Sequence, residues 1–532
     1  MDKKKQIIEK DVWKARGQEL IEKNVLDDAQ KESLEHMIDS PDNENFVLAK
    51  ELLRLKISDA LVEGLNDGQA YAFTKIIEFF MTPSEYNGVV LKGYAGTGKT
   101  YLVKRIIEYA SIADPKHKEA ITAPTNKAVH VLHKNSPFTD NTTVFEDYGR
   151  PKDRIVYCTI HKLMNLKEQI SDTGKQTFVT DMKNGNEIEQ YKYIIVDETS
   201  MLDDNLFLQL MKYKDKIKFI FLGDPAQIPP INRTDCIPFK RDNKYNLLRL
   251  ELTEIMRQKG DHPIIDAGYK IRNNLTSPSP LGKISTILNG AGHGIIHIDA
   301  KINRKHTRKI IEKYFKSPEY QNDIDYVKII AWKNKTVESL NKITREILFG
   351  KDINRFVVGD KLVANKALFD WTNHPRFGKI YSIKANTSDE FVIQEAVVKE
   401  KRFIETLTQV HERVDATLKY WSLKVKYKAD YLYLRVIHED SMAEYLQLLS
   451  ELKAKAKAAR NSSLWAMYYN VVKWNDDVIY NYAISAHKSQ GSTYNNVILI
   501  EEDIDKNYNI VERNRIKYTA YTRATDRLYV LC

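Results

Sequence analysis

The stretch GYAGTGKT, Gly93–Thr100, holds residue types that bind phosphate. It matches G-x-x-x-x-G-K-[ST] in full, follows the apolar run VVLK and precedes the helical run TYLVKRIIEYA. That context distinguishes a phosphate-binding loop from a chance glycine-rich turn. Gly93, Gly96 and Gly98 permit the tight turn, so that the backbone through Tyr94, Ala95 and Thr97 aims N–H groups at an anion. The helix that follows adds favourable potential at its N-terminus. Lys99 would reach the outer phosphates of ATP, and Thr100 would ligate Mg²⁺. Such a loop needs an acidic partner. YIIVDETSM closes an apolar strand with Asp197, placed to hold Mg²⁺, and Glu198, placed to orient and deprotonate the attacking water. In FIFLGDPAQIPPI, Gln227 would sense the γ-phosphate or its water; alone, a glutamine there is more often structural. A last cluster, YAISAHKSQGSTYNN (Tyr482–Asn496), reads in isolation as an acid–base site, a metal ligand or a polar loop. His487 has no Cys, His or acidic neighbour at metal-ligand spacing.

These groups need a frame, and the hydrophobic pattern supplies one. From about Leu65, short apolar runs (GVVLKG, EAITAP, YKYIIVDE, IKFIFLGDP) alternate with helical stretches, and each run ends in a polar or glycine-rich turn. Buried parallel strands with functional loops at their carboxyl ends have this signature. The pattern returns in YVKIIAWKN, NNVILIEED and DRLYVLC, so two α/β regions are expected. Between them, FVIQEAVVKE and WSLKVKYKADYLYLRVIHED alternate as antiparallel strands do, and SMAEYLQLLSELKAKAKAARNSSLWAMYYNVVKW has helical period. The segment KLMNLKEQISDTGKQTFVTDMKNGNEIEQYKY suggests a β-hairpin inserted in the first region. The opening sixty or so residues are charged and helical in period, with Phe46 to Leu65 as one amphipathic helix.

Composition sets the outer limits. With 532 residues, 42% hydrophobic and 10% aromatic, the chain is globular and multidomain. A net charge of +10 favours a polyanionic partner. Cys158, Cys236 and Cys532 fit neither a disulfide framework nor a zinc site, which points to a reducing compartment. Neither a signal peptide nor a membrane-spanning run is seen, so a soluble cytoplasmic protein is expected.

In order, LNDGQAYAF, GYAGTGKT, APTNKAV, TIH, VDETSM, GDPAQIPP, LTEIMRQ, AWKN, SAHKSQGST and YTAYTRA resemble the motif series of superfamily-one helicases, in the RecD-like branch and its Dda-type members. The resemblance runs from about Leu65 to Cys532. It implies an α/β fold of two RecA-like parallel-sheet motor domains. These would be residues 61–256, with a pin-like hairpin insertion at 162–190, and residues 257–355 with 476–532. An SH3-like β-barrel plus helical module would occupy 356–475, behind a helical extension at 1–60. Gln69 would read the adenine edge, and Arg257 and Arg523 would be arginine fingers on the γ-phosphate. Single-strand contacts fall on Pro124, Thr125, Asn126, His161, Asn334, Ser485, His487 and Thr493. Phe178 would be the wedge of the pin. Trp332 is as well suited to base stacking as to packing, whereas Tyr494 suits the core.

The implied activity is ATP-dependent 5′–3′ unwinding, with single-stranded and forked DNA as partners and phage DNA replication, recombination or repair as setting. The cytoplasm would then be that of a bacterial host. A single-strand-binding protein or another replication protein would meet the N-terminal extension. Three alternatives stay open: a single-strand-stimulated translocase without productive unwinding, a nucleotide-switched loading factor, and RNA as substrate. Tyr94 departs from the proline frequent in relatives, and Ser489 from their alanine.

Overall fold

A computed structural model of the chain describes residues 28–532 apart from 40–42, 95, 114–117, 135–154, 171–175, 181–186, 231–235, 241–243, 255–261, 283–284, 300–303, 375–377, 408–411, 429 and 461. The apolar runs that follow Leu65 form the first sheet. Its strands are β1 (Gly88–Gly93), β2 (Lys118–Ala123), β3 (Ile155–Thr159), β6 (Tyr191–Val196), β7 (Lys218–Gly223) and β8 (Leu247–Leu252). They lie in the order β3-β2-β6-β7-β1-β8, every neighbouring pair parallel. Ile194, Val196, Phe219 and Phe221 are fully buried, because helices and loops cover both faces. The hairpin β4 (Leu166–Ile170) and β5 (Gln176–Thr180) stands apart as its own two-stranded sheet.

Helices α1 (Asp28–Asp39), α2 (Asn43–Val62), α3 (Asp67–Met81) and α4 (Lys99–Ala113) share one core with this sheet. Leu53, Ile57 and Leu61 of α2 pack with Phe73 and Ile76 of α3 and Ile106 of α4. The described part of the N-terminal extension therefore buries its apolar stripe on the first lobe. Helix α5 (Asn126–Lys134) follows β2.

The second sheet comes from both ends of the remaining chain. Its strands are β9 (Ile287–Leu288), β10 (Gly294–Ile298), β11 (Val327–Ala331), β19 (Ala483–Ser485), β20 (Tyr494–Ile500) and β21 (Ala524–Leu531). The order is β19-β11-β20-β21-β10-β9, parallel except for β9 against β10. Helices α6 (Pro263–Asn273) and α10 (Ile510–Tyr521) cover one face, and α7 (Asn334–Phe349) packs on the other.

Between β11 and β19 the chain builds a separate module. Strands β12 (Lys361–Ala364), β15 (Glu390–Leu407), β16 (Glu412–Tyr427), β17 (Asp430–Ile437) and β18 (Val478–Tyr480) make an antiparallel sheet in the order β17-β16-β15-β12-β18. Strands β13 (Leu368–His374) and β14 (Gly378–Ala385) form a hairpin beside it. Helices α8 (Met442–Ala459) and α9 (Ser462–Trp474) close its second core around Leu418, Ile437 and Trp474. Helix α9 also comes within 8 Å of β4, Cα to Cα, so the module reaches the first lobe's hairpin. No helix among the described residues is long and apolar enough to cross a membrane.

Candidate functional site

The carboxyl edge of the first sheet arranges the motifs in space. Following the strand order, it presents His161 after β3, Pro124–Asn126 after β2, and Asp197–Glu198 after β6. Asp224–Gln227 follow β7, and the P-loop follows β1. Parallel strands put every one of these loops on the same edge. One half of that edge thus carries the expected DNA residues, and the other half the nucleotide residues.

In the P-loop, Gly96 and Gly98 take φ of +87° and +75°, a region closed to most side chains. A Cβ on Gly93 would stand 2.8 Å from Thr97 Oγ1 and 2.9 Å from Lys99 Cγ, so only glycine fits. Lys99 Nζ donates to the carbonyls of Gly93 at 2.6 Å and Tyr94 at 2.9 Å. Thr100 is exposed at the start of α4, and Ala95 lies outside the described residues. Gln69 is buried beneath the loop. Its Oε1 accepts from Asn66 N in a capping box at the start of α3, while Nε2 donates to Thr97 O at 3.1 Å. Both ends of the amide expected to read adenine are engaged within the protein, where they brace the P-loop.

Asp197 Oδ1 accepts from Glu198 N at 2.8 Å. Glu198 sits in the left-handed region, at φ 48° and ψ 38°, a conformation that costs energy outside glycine and clusters at functional sites. Burial and the adjacent Asp197 push the Glu198 carboxyl up to about 7, against the pull of Arg523 and Lys99. Burial likewise raises Asp197, opposed by its backbone hydrogen bond and Lys99. The hydroxyl of Thr100 and the carboxylate of Asp197 are hard oxygen donors, the set Mg²⁺ prefers. Gln227 is 5% exposed, and its buried Oε1 has no hydrogen-bond partner.

The second lobe closes over this half. Arg523, 5% exposed, follows α10 and is held by three hydrogen bonds: Nε to Thr519 O, Nη1 to Ser492 O and Nη2 to Thr522 Oγ1. Its charge acts on Glu198 across the cleft. Ile228, next to Gln227, is clasped on both backbone groups: its N–H donates to Thr519 Oγ1, and its carbonyl accepts from Gln490 Nε2 at 2.9 Å. Gln490 and Ser492 belong to the same loop as His487. One loop therefore touches the finger, the γ-phosphate sensor segment and the expected DNA face. Arg257 lies outside the described residues.

On the DNA half, Pro124, Thr125, Asn126, His161 and His487 are half-buried, whereas Asn334 and Thr493 are exposed. Ser485 is buried and accepts from Lys488 N through its hydroxyl. Burial lowers both His161 and His487 below the usual histidine range, so each is neutral at pH 7. Tyr494 is 1% exposed in the core; Trp332 is half-buried against that core. Phe178 lies on β5 opposite Glu168, and its side chain lies outside the described residues.

Two groups escaped the sequence reading. Lys127, the residue after Asn126, turns away from the expected strand path into a junction of three modules. Its Nζ lies 3.4 Å from Glu390 Oε1, 3.4 Å from Tyr494 OH and 3.7 Å from Asp325 Oδ1. Burial disfavours its charge, but Tyr494, Glu390 and Asp325 outweigh that and raise its pKa. Arg272 of α6 stacks on the Tyr94 ring, its Cζ 3.4 Å from the centroid, and its Nε lies 3.5 Å from Asp224 Oδ1. Both depend on distant segments, which no local pattern announces.

A parallel sheet carries the P-loop, and a mostly parallel second sheet carries a buried arginine whose charge acts on Glu198. This defines a two-lobed P-loop NTPase. Residues 81–233 match the AAA domain family, and residues 480–531 match the UvrD-like helicase C-terminal domain. The ATP-dependent DNA helicase Dda of Enterobacteria phage T4 is 26% identical over 488 residues, 88% of this chain and 99% of that protein. Uncharacterized protein R530 of Acanthamoeba polyphaga mimivirus is 26% identical over 505 residues, covering 87% and 99%. The RecD subunit of RecBCD from Buchnera aphidicola is 25% identical over 473 residues, covering 84% and 70%. Among solved structures, the Pif1 helicase from Candida albicans aligns over 88% of this chain and 94% of its own, with 16% identity and a TM-score of 0.43. The chain is thus similar in sequence to the phage Dda helicase and the RecD subunit along most of its length.

Proposed function

We propose that the protein is an ATP-driven DNA helicase that moves 5′ to 3′ along single-stranded DNA and parts the duplex ahead of it. The observation that carries this reading is Arg523: a buried second-lobe arginine, held by the loop of His487 through Ser492, acts on Glu198 of the first lobe. ATP binds in the cleft, with its phosphates on the P-loop N–H groups and Lys99. Leaving the Gly93 and Tyr94 carbonyls frees Lys99 for them. Thr100 and Asp197 would hold Mg²⁺, which would neutralise charge on the phosphate oxygens. Gln227 Oε1 orients the attacking water, and a Glu198 carboxylate oxygen takes its proton. Arg257 and Arg523 offer planar forks of donors to the γ-phosphate.

The neutral side chains of His161, His487, Asn126, Asn334 and Thr493 hydrogen-bond the DNA backbone, with Pro124, Thr125 and Ser485 completing the path. Contacts without charge break readily at each step. Hydrolysis opens the cleft, the two lobes exchange grip, and the strand ratchets through. The β4–β5 hairpin serves as the pin, with Phe178 at the fork. The module at 356–475, an SH3-like sheet with helices, backs the pin through α9. The N-terminal extension meets a partner such as a single-strand-binding protein. The setting is phage DNA replication, recombination or repair in the cytoplasm of a bacterial host.

A forked duplex with a 5′ or a 3′ tail tests the reading. Strand separation with ATP from the 5′ tail alone is expected. Separation from the 3′ tail alone overturns the direction. Hydrolysis stimulated by single strands without separation on any fork supports a translocase that remodels protein–DNA complexes. Slow, unstimulated hydrolysis supports a nucleotide-switched loading factor.

A further inference from the structure

Asp224 follows β7 and is fully buried in the first lobe, yet two side chains of the second lobe converge on it. Tyr518 of α10 donates to Oδ2 at 2.5 Å, and Arg272 of α6 lies 3.5 Å from Oδ1. The Arg272 guanidinium also lies flat on Tyr94, inside the P-loop, with Tyr269 alongside at 6.2 Å between ring centroids. Tyr94, Tyr269, Arg272 and Tyr518 line a small open cleft beside Gly96. A guanidinium held by a carboxylate at its edge and an aromatic face beneath it has one orientation, unlike a flexible ammonium.

One turn before Arg272, the same face of α6 meets the base of the finger. A Cβ on Gly268 would stand 3.2 Å from Thr522 Cγ2, so the helix lies against the residue that precedes Arg523. One rigid element therefore touches the P-loop through Arg272 and the base of the finger through Gly268. The P-loop end of this contact is bonded to Lys99 through the Tyr94 carbonyl. The carbonyl of Tyr94 accepts from Lys99 Nζ, from Thr97 N and from Thr97 Oγ1. Lys99 turning to phosphate would take that charged donor from the Tyr94 peptide, on whose ring Arg272 rests.

We propose that Arg272 is a positioning residue of the ATPase cycle: stacked on Tyr94 and anchored on Asp224, it ties the setting of the Arg523 finger to the conformation of the P-loop. The proposal rests on the reading of the cleft as an ATP site. It gives Tyr94 a role as the ring that Arg272 reads. It also explains why two second-lobe side chains grip one first-lobe carboxylate, since Asp224 fixes the fulcrum on which α6 and α10 move.

Steady-state ATPase of the full chain, with and without single-stranded DNA, tests it on Arg272→Ala, Arg272→Lys, Tyr94→Phe, Tyr94→Ala and the Arg272→Ala/Tyr94→Ala pair. Arg272→Ala is expected to lower DNA-stimulated kcat roughly tenfold or more, with KM for ATP within about twofold. Arg272→Lys does not rescue, and Tyr94→Phe, which keeps the ring, retains more of the rate than Tyr94→Ala, which repeats the Arg272→Ala loss. The double variant is no worse than either single, because both remove one contact. A wild-type rate in Arg272→Lys, multiplied losses in the double variant, or a loss carried by KM alone overturns the proposal. Should Arg272→Ala fail to fold, the Tyr94→Phe and Tyr94→Ala comparison decides it alone. A wild-type chain without ATPase overturns the proposed function and this proposal together; active wild type with indifferent variants overturns this proposal alone.

Discussion

Glu198 shows what a single residue bears in this site. Its backbone is held at positive φ, its carboxyl is raised by burial and by Asp197, and Arg523 faces it from the other lobe. Glu198→Gln keeps shape and loses the base. We expect ATP turnover to fall by about 10²–10⁴-fold while nucleotide still binds, measured by steady-state hydrolysis beside a fluorescent-nucleotide titration. Full hydrolysis in this variant would reassign the base. His487 tests the opposite half: His487→Ala should reduce DNA-stimulated hydrolysis more than the DNA-free rate, and equal loss of both would return it to the chemistry. The residues of the cleft were legible because phosphate chemistry demands fixed types at fixed spacing, as in Gly93–Thr100. Arg272 and Gln490–Ile228 were not, since each joins segments far apart in the chain through contacts that tolerate many side chains.

At the scale of elements, the alternation of apolar runs and helices was readable because strands buried on both faces leave little room for polar residues. The register of β15 against β16 and the docking of α9 near β4 were not readable, since half-exposed strands constrain sequence weakly. The joint between α7 and β12 shows how the module is held. Arg345 of α7 donates Nε and Nη2 to Asp360, 2.7 Å at the closest, and Asp360 also accepts from Tyr482 OH. Asp360 is fully buried, so Arg345→Ala would strand its carboxylate. A loss of about 3–5 kcal/mol is expected, read from denaturant melts. For the β4–β5 hairpin, Phe178→Ala should leave single-strand-stimulated ATPase intact and reduce unwinding; unchanged unwinding would remove it from the fork.

The whole molecule is tied at Lys127, Lys328, Glu390 and Asp325, where first lobe, second lobe and module meet. Lys328 is fully buried, held at about 8 by burial despite Glu390, and its Nζ also donates to Asn481. Burial disfavours the Glu390 carboxylate, but Lys328, Lys127 and Asn481 outweigh this and hold it down to about 2. Its folded pKa thus lies below the ordinary 4.5. The stabilisation is present above that value and is lost as pH falls from 4.5 toward 2. It amounts to at most about 3 kcal/mol. Thermal melts from pH 6 to pH 3 should steepen in the lower half, and Glu390→Gln should flatten that slope; parallel curves would mean that the junction does not hold the modules together.

Strands β12 and β18 have a further meaning. Ala364 stands directly opposite Val478, and Asn365 N donates to Asp477 O at 2.8 Å. The polypeptide leaves for the module and comes home at a single point, shaped like the mouth of a β-hairpin. A gene accepts an insertion most easily at such a place, since the host's own strands keep their spacing whatever hangs between them. Replacing residues 365–477 with a two-residue Asn-Gly turn is then the simplest excision, leaving a hairpin where a domain stood. Such an excision would also take away Glu390, and with it the carboxylate that Lys127 and Lys328 share.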